Sequence, residues 1–192
     1  GMVNALMVDR SGLLWAGTQF SGLAIAASRG APFPWIDLRS PETATHGPVA
    51  SGSVRAIAQA RAGFLWIGTD DGRLLRIDAT GTPQDMTGLL DSNGTDAAST
   101  RITGSVRTAD GSLWLGTEAG LKRYDPRQNR FESWSDLLGE SAPPAPHVAV
   151  HAIVRARDGT LWLGTSKGVA RVDARTRRLD VVALDAQVDS PS

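Results

Sequence analysis

Cysteine is absent from all 192 residues, which removes disulfides, thiolate metal ligands and cysteine nucleophiles together. That absence suits an exported bacterial domain. Net charge is absent too, because 20 Lys and Arg balance 20 Asp and Glu. Proteins held on nucleic acid or on an anionic membrane surface rely on clustered Lys and Arg, so the balance argues against both partners. No stretch approaches the ~18 apolar residues of a membrane-spanning helix. No charged-then-apolar leader opens the chain either, so membrane attachment is expected only through flanking segments. Gly1-Met2 has the look of a cloning remnant, and the chain reads as a piece of something larger. Histidine is scarce, with only His46, His147 and His151 available. No Gly-x-Ser-x-Gly elbow, phosphate loop or zinc spacing occurs, and neither a metal nor a cofactor is expected.

What the chain does have is a repeated string. Leu-Trp-x-Gly-Thr occurs four times, with its tryptophan at Trp15, Trp66, Trp114 and Trp162, spaced 51, 48 and 48 residues apart. A glycine precedes each tryptophan by three residues, at Gly12, Gly63, Gly111 and Gly159. Another follows shortly after, at Gly22, Gly72, Gly120 and Gly168. A fixed period near 50 residues signals a repeat architecture.

Within a repeat the pattern is strand, tight turn, strand. Val150 to Ala156 is rich in β-branched residues, Asp158-Gly159 supplies a hairpin turn, and Leu161 to Thr165 is the second strand. Lys167-Gly168 turns again into Val169–Asp173, and Leu179 to Leu184 reads as a fourth strand. The whole chain, 1–192, is therefore expected to be all-β, with four four-stranded antiparallel blades at about 3–38, 54–86, 102–134 and 150–184. Helical periodicity is weak, though Leu89-Leu90 and Leu137-Leu138 could sit in short helical turns. Three longer connections, 39–52, 87–100 and 135–147, carry prolines and small polar residues and read as surface loops.

A meander with apolar side chains on both faces cannot stand alone. Radial stacking of such sheets gives a β-propeller. Each tryptophan is then expected to wedge between blades, with the glycine two residues later leaving room for the adjacent backbone. Isolated, a four-blade arc would expose two apolar end faces, and neither terminal repeat looks like a polar cap. A partial ring is expected, with self-association through the end blades, most directly as a dimer.

The segment Asp110-Gly111-Ser112-Leu113-Trp114-Leu115-Gly116-Thr117, continued through Gly120-Leu121-Lys122-Arg123-Tyr124-Asp125, closely resembles the two-component regulator propeller repeat. Repeat four matches with Val169 and Val172 in place of leucine and tyrosine, and repeat two keeps Arg76-Ile77-Asp78. Repeat one departs most, with Ala26-Ala27 in place of the aromatic and Asp. The resemblance implies a periplasmic sensor region of a bacterial receptor whose output module is a histidine kinase or diguanylate cyclase. A small molecule or glycan would be its ligand, and the propeller itself would not be an enzyme. A propeller lyase or glycosidase, or a plain assembly role, is the alternative.

Asp9, Asp110 and Asp158 lie at the first hairpin turns, where Asp caps its own backbone. Asp70-Asp71-Gly72 lacks the alternating oxygen ligands of a calcium loop and also reads as a turn. Ligand contacts are expected on the rim that carries the second-to-third-strand turns. The candidates are Phe20 in the longer turn of repeat one, Asp70 and Asp71, Glu118, and Lys167. No catalytic residue is expected.

Overall fold

A computed structural model describes residues 2–20, 22–26, 35–36, 38, 53–60, 64–78, 82–90, 101–134, 148–173, 176 and 178–182. It is an all-β propeller of four four-stranded antiparallel sheets, as the repeats predict. Blade 1 comprises β1 Val3–Val8, β2 Leu14–Thr18, β3 Leu23–Ala26 and β4 Trp35–Ile36. Blade 2 comprises β5 Val54–Gln59, β6 Leu65–Thr69, β7 Leu74–Ile77 and β8 Pro83–Asp85. In blade 3 the strands are β9 Ile102–Arg107, β10 Leu113–Thr117, β11 Gly120–Asp125 and β12 Arg130–Ser133. Blade 4 is built from β13 Val150–Arg155, β14 Leu161–Thr165, β15 Gly168–Asp173 and β16 Arg178–Val182. Every sheet runs in sequence order. A 3-10 turn at Thr87–Leu90 contains the Leu89-Leu90 pair; Leu137-Leu138 lies outside the described residues.

The first strands line the axis, with β1 against β5, β5 against β9, and β9 against β13. Each sheet turns its two faces to different neighbours. Trp66, Ala56 and Ala58 of blade 2 pack on Leu113, Leu115 and Phe131 of blade 3. Trp114 of blade 3 packs with Leu161, Leu163 and Val150 of blade 4. The leucines beside the repeated tryptophan thus face backwards along the chain and the tryptophan faces forwards. Aromatic contacts strengthen the second interface, where the Trp66 ring lies 5.1 Å from Tyr124 and 6.2 Å from Phe131.

The glycine of each repeat has a more specific purpose than backbone clearance. A Cβ on Gly17 would lie 2.4 Å from Val54 Cγ1, one on Gly68 2.5 Å from Ile102 Cγ2, and one on Gly116 2.8 Å from Val150 Cγ1. The space is therefore taken by a β-branched side chain that opens the next blade. Each blade carries this knob opposite its repeat threonine, as the pairs Val3↔Thr18, Val54↔Thr69, Ile102↔Thr117 and Val150↔Thr165 show.

Burial of the tryptophans is uneven. Trp66 and Trp114 are buried, but Trp162 is 39% exposed, contrary to the expectation that all four are wedged between sheets. Among the described residues no sheet packs on the face of blade 4 that carries Trp162.

The first hairpin turns are held by the predicted aspartates. Asp9 accepts bonds from the Ser11 and Leu13 amides at 2.8 and 3.0 Å and from Trp15 Nε1 at 2.8 Å. Asp110 accepts from Ser112 N and Oγ at 3.1 and 2.9 Å, and Asp158 from the Thr160 amide at 2.9 Å. Gly12, Gly111 and Gly159 complete these turns at φ of 85°, 91° and 92°, where a side chain would be strained. Burial opposes ionisation of Asp9 and Asp110, yet their donors outweigh it, and both carboxyls sit below the ordinary value of 3.8. Asp158 is lowered mainly by the Thr160 amide and hydroxyl. With native values below unfolded ones, their stabilisation is complete above about pH 5 and is lost as pH falls through 3.8 towards the native values. Asp110→Asn should therefore cost stability at neutral pH and flatten the acid limb of a pH–stability curve. An unchanged acid limb would remove the carboxylate from that account.

Candidate functional site: a cationic axial pocket

The second-to-third-strand turns and the first hairpin turns lie at opposite ends of the strands. All five residues expected to contact ligand sit at the former end. Phe20 is exposed in the turn of blade 1, and Lys167 is exposed in the turn of blade 4, at the other end of the arc. Asp71 is held within its own turn, accepting from Thr69 Oγ1 and lying 3.9 Å from Arg73 Nε. Asp70 and Glu118 are brought together through Arg101. Its Nε donates to the Asp70 carbonyl at 2.9 Å, and its Nη1 lies 3.2 Å from Glu118 Oε1. This is an inter-blade clasp, with both acidic residues near the rim. The three long connections fall mostly outside the described residues, as do His46 and His147; His151 is exposed on β13.

At the opposite end, where the first strands finish, the structure forms a concave pocket of about 490 Å³ to which all four blades contribute. Arg10 enters it from blade 1, Gln59 from blade 2, Ser105, Arg107 and Thr108 from blade 3, and Arg155 from blade 4. Met7, Ile57, Ala58 and Val106 supply apolar wall. Gln59 ties the blades together. Its side-chain Oε1 accepts the Arg10 amide at 3.1 Å, while its backbone carbonyl accepts Arg107 Nη1 at 3.2 Å. Ser105 Oγ is buried with no hydrogen-bond partner.

Among the described residues, three arginines and no carboxylate line this pocket. Arginine presents fixed, forked donors that match carboxylate and phosphate oxygens, and a concave wall strengthens their field. Among the described residues the lining contains no imidazole, carboxylate or lysine. Among the described residues, no group of three His, Asp or Glu is placed to hold a metal.

The sequence carried a signal for this pocket that motif reading passed over. The last residue of each first strand pairs with the leucine of the repeat, giving Val8↔Leu14, Gln59↔Leu65, Arg107↔Leu113 and Arg155↔Leu161. Aligning the repeats would have shown two arginines and a glutamine recurring at one axial position.

Comparison with known proteins agrees with this architecture. Residues 48–71 and 144–167 match the model of the two component regulator propeller, covering the first two strands of blades 2 and 4. No curated protein matches the chain. Among solved structures, the extracellular domain of the hybrid two component system BT3049 from B. thetaiotaomicron superposes with a TM-score of 0.68. It is 16% identical over 94% of this chain and 21% of its own. A catalytically inactive virginiamycin B lyase from Staphylococcus aureus, solved with quinupristin, gives 0.67 at 14% identity, over 95% and 56% of the two chains. PorZ, a surface component of the type-IX secretion system of Porphyromonas gingivalis, gives 0.63 at 14% identity, over 94% and 27%. The chain thus spans from about a fifth to just over half of these neighbours, and identities this low show the fold alone. Fold, repeat string and matched segments converge on one statement: the chain is a four-bladed β-propeller in which segments of blades 2 and 4 match the two component regulator propeller model.

Proposed function

We propose that this propeller is the extracytoplasmic, periplasmic ligand-binding module of a bacterial signal-transduction receptor, and that it recognises a small anionic molecule rather than transforming one. The observation that carries the reading is the axial pocket, lined among the described residues by three arginines and no acidic residue. Acidic sugars fit its chemistry best: the arginines take the carboxylate, while the Gln59 side-chain amide offers a partner for a hydroxyl. The matched repeat family and the extracellular neighbour support the sensing role and the location. Among the described residues no helix is long and apolar enough to cross a membrane.

The Asp70, Asp71, Glu118, Phe20 and Lys167 rim is the competing contact surface, and calorimetry distinguishes the two. A uronic acid should bind while its neutral sugar counterpart does not, with affinity falling as salt rises. Arg155→Gln should weaken binding about tenfold or more, the cost of losing a charge-assisted bond, whereas Glu118→Gln should leave it unchanged. Equal binding of neutral and anionic sugar, or sensitivity confined to the rim variants, would reject the pocket.

A further inference from the structure

Each first strand opens with a β-bulge, at the end of the strand opposite the axial pocket. The pairings Val3↔Thr18 and Ala5↔Gly17 leave Asn4 unpaired in blade 1. The same slip leaves Arg55, Thr103 and His151 unpaired in blades 2, 3 and 4. Their neighbours recur, with a β-branched knob before and alanine or glycine after, but the bulged residue is polar and differs in every blade. A bulge takes one side chain out of the sheet's alternation and re-aims it, a device common beside functional sites. Asn4 and Thr103 are used between blades, donating to Ser53 Oγ and to the Val150 carbonyl. Arg55 is exposed, although blade 2 is packed on both faces and the rest of β5 is buried or half-buried. Its side chain therefore opens on the axis, near the rim. His151 holds the same register position in blade 4 and is exposed as well.

The first strands contain Arg55, Arg107, Arg155 and His151, but none of the chain's 20 acidic residues. Of the rim carboxylates, Asp71 and Glu118 are held beside Arg73 and Arg101. A neutral protein thus carries a one-signed axis, which concentrates the field of its cations. We propose, resting on the axial pocket as the primary site, that Arg55 and His151 form a second anion subsite, so that the molecule bound is an elongated acid. Arg55 precedes Gln59 by four residues and His151 precedes Arg155 by four, about 13 Å along an extended strand. One sugar ring cannot span that distance. Between the two ends, Met7, Ile57 and Val106 supply apolar wall. Each first strand is also the inner edge of its sheet, so backbone groups outside the sheet's own ladder are offered to hydroxyls. A linear chain of uronic acids matches this pattern, with a carboxylate on each ring and hydroxyls between. A nucleic acid strand matches it less well, because the first strands carry no Phe, Tyr or Trp on which bases could stack.

Calorimetry on the 192-residue chain with galacturonic acid and its linear trimer tests this. The trimer should bind about tenfold tighter or more, because its second anionic group is already tethered near the second subsite. Arg55→Gln, alone or with His151→Gln, should bring the trimer-to-monomer ratio of affinities towards one. Arg155→Gln should instead weaken both ligands and leave the ratio standing. Equal affinities in the wild-type chain, or a ratio that survives the double substitution, overturn the second subsite; weakening by Arg155→Gln would still uphold the pocket. Failure of both acids to bind rejects the pocket and the subsite together. A thymidine tetranucleotide that binds more tightly than the trimer would overturn the choice of ligand.

Discussion

Trp114→Ala is expected to lower the unfolding free energy by ~3–5 kcal/mol, the usual cost of removing a large buried aromatic. Trp114 is 1% exposed and packs into the core shared by blades 3 and 4, with Trp134 6.4 Å away and Leu161, Leu163 and Val150 in the same cluster. Its loss leaves a cavity that the two sheets cannot collapse into without tilting. The same truncation at Trp162 should cost ~1 kcal/mol or less in the dilute monomer, as for a residue already partly in water. Denaturation followed by far-ultraviolet circular dichroism, at concentrations below any association, compares the two directly. Equal losses would mean that the tryptophans contribute through their own sheets and not through neighbouring blades.

A glycine-to-alanine series should show the same asymmetry with the sign of overpacking. At Gly17, Gly68 and Gly116 the added methyl would lie under 3.0 Å from the knob of the next blade. The obstacles are Val54, Ile102 and Val150, whose β-branched χ1 rotamers have little freedom to turn away. Each substitution is expected to cost ~1–3 kcal/mol as the blades are forced apart. Alanine at Gly164 meets only ordinary contact and should fall within about 0.5 kcal/mol of wild type. Thermal or urea unfolding of the four variants is the measurement. A costly Gly164→Ala, or a neutral Gly68→Ala, would contradict the knob-and-slot account.

The legibility of this protein differed between its fold and its site. Strand alternation, Asp-Gly turns and four copies of one string are local signals, and each repeat confirmed the others. The aspartate caps were equally local, because Asp9 and Asp110 accept from turn groups two to six residues away. By contrast, Arg10, Gln59, Arg107 and Arg155 stand about 48 to 50 residues apart along the chain, and none sits in a recognisable motif. Only the stacking of first strands around an axis brings them to one concave surface.

The sequence by itself determined the all-β class, the number of blades, the strand order within each sheet and the turn chemistry, because all of these depend on contacts within one repeat. Tertiary structure decided what identical strings become in different places. Trp66 and Trp114 are buried while Trp162 is not, and the space at Gly116 is filled by a valine of the next blade while among the described residues Gly164 meets only its own blade. The physical reason is that each face of a blade is completed by its neighbour. A repeat therefore encodes half of two interfaces, and its position in the arc settles whether those halves meet protein or water.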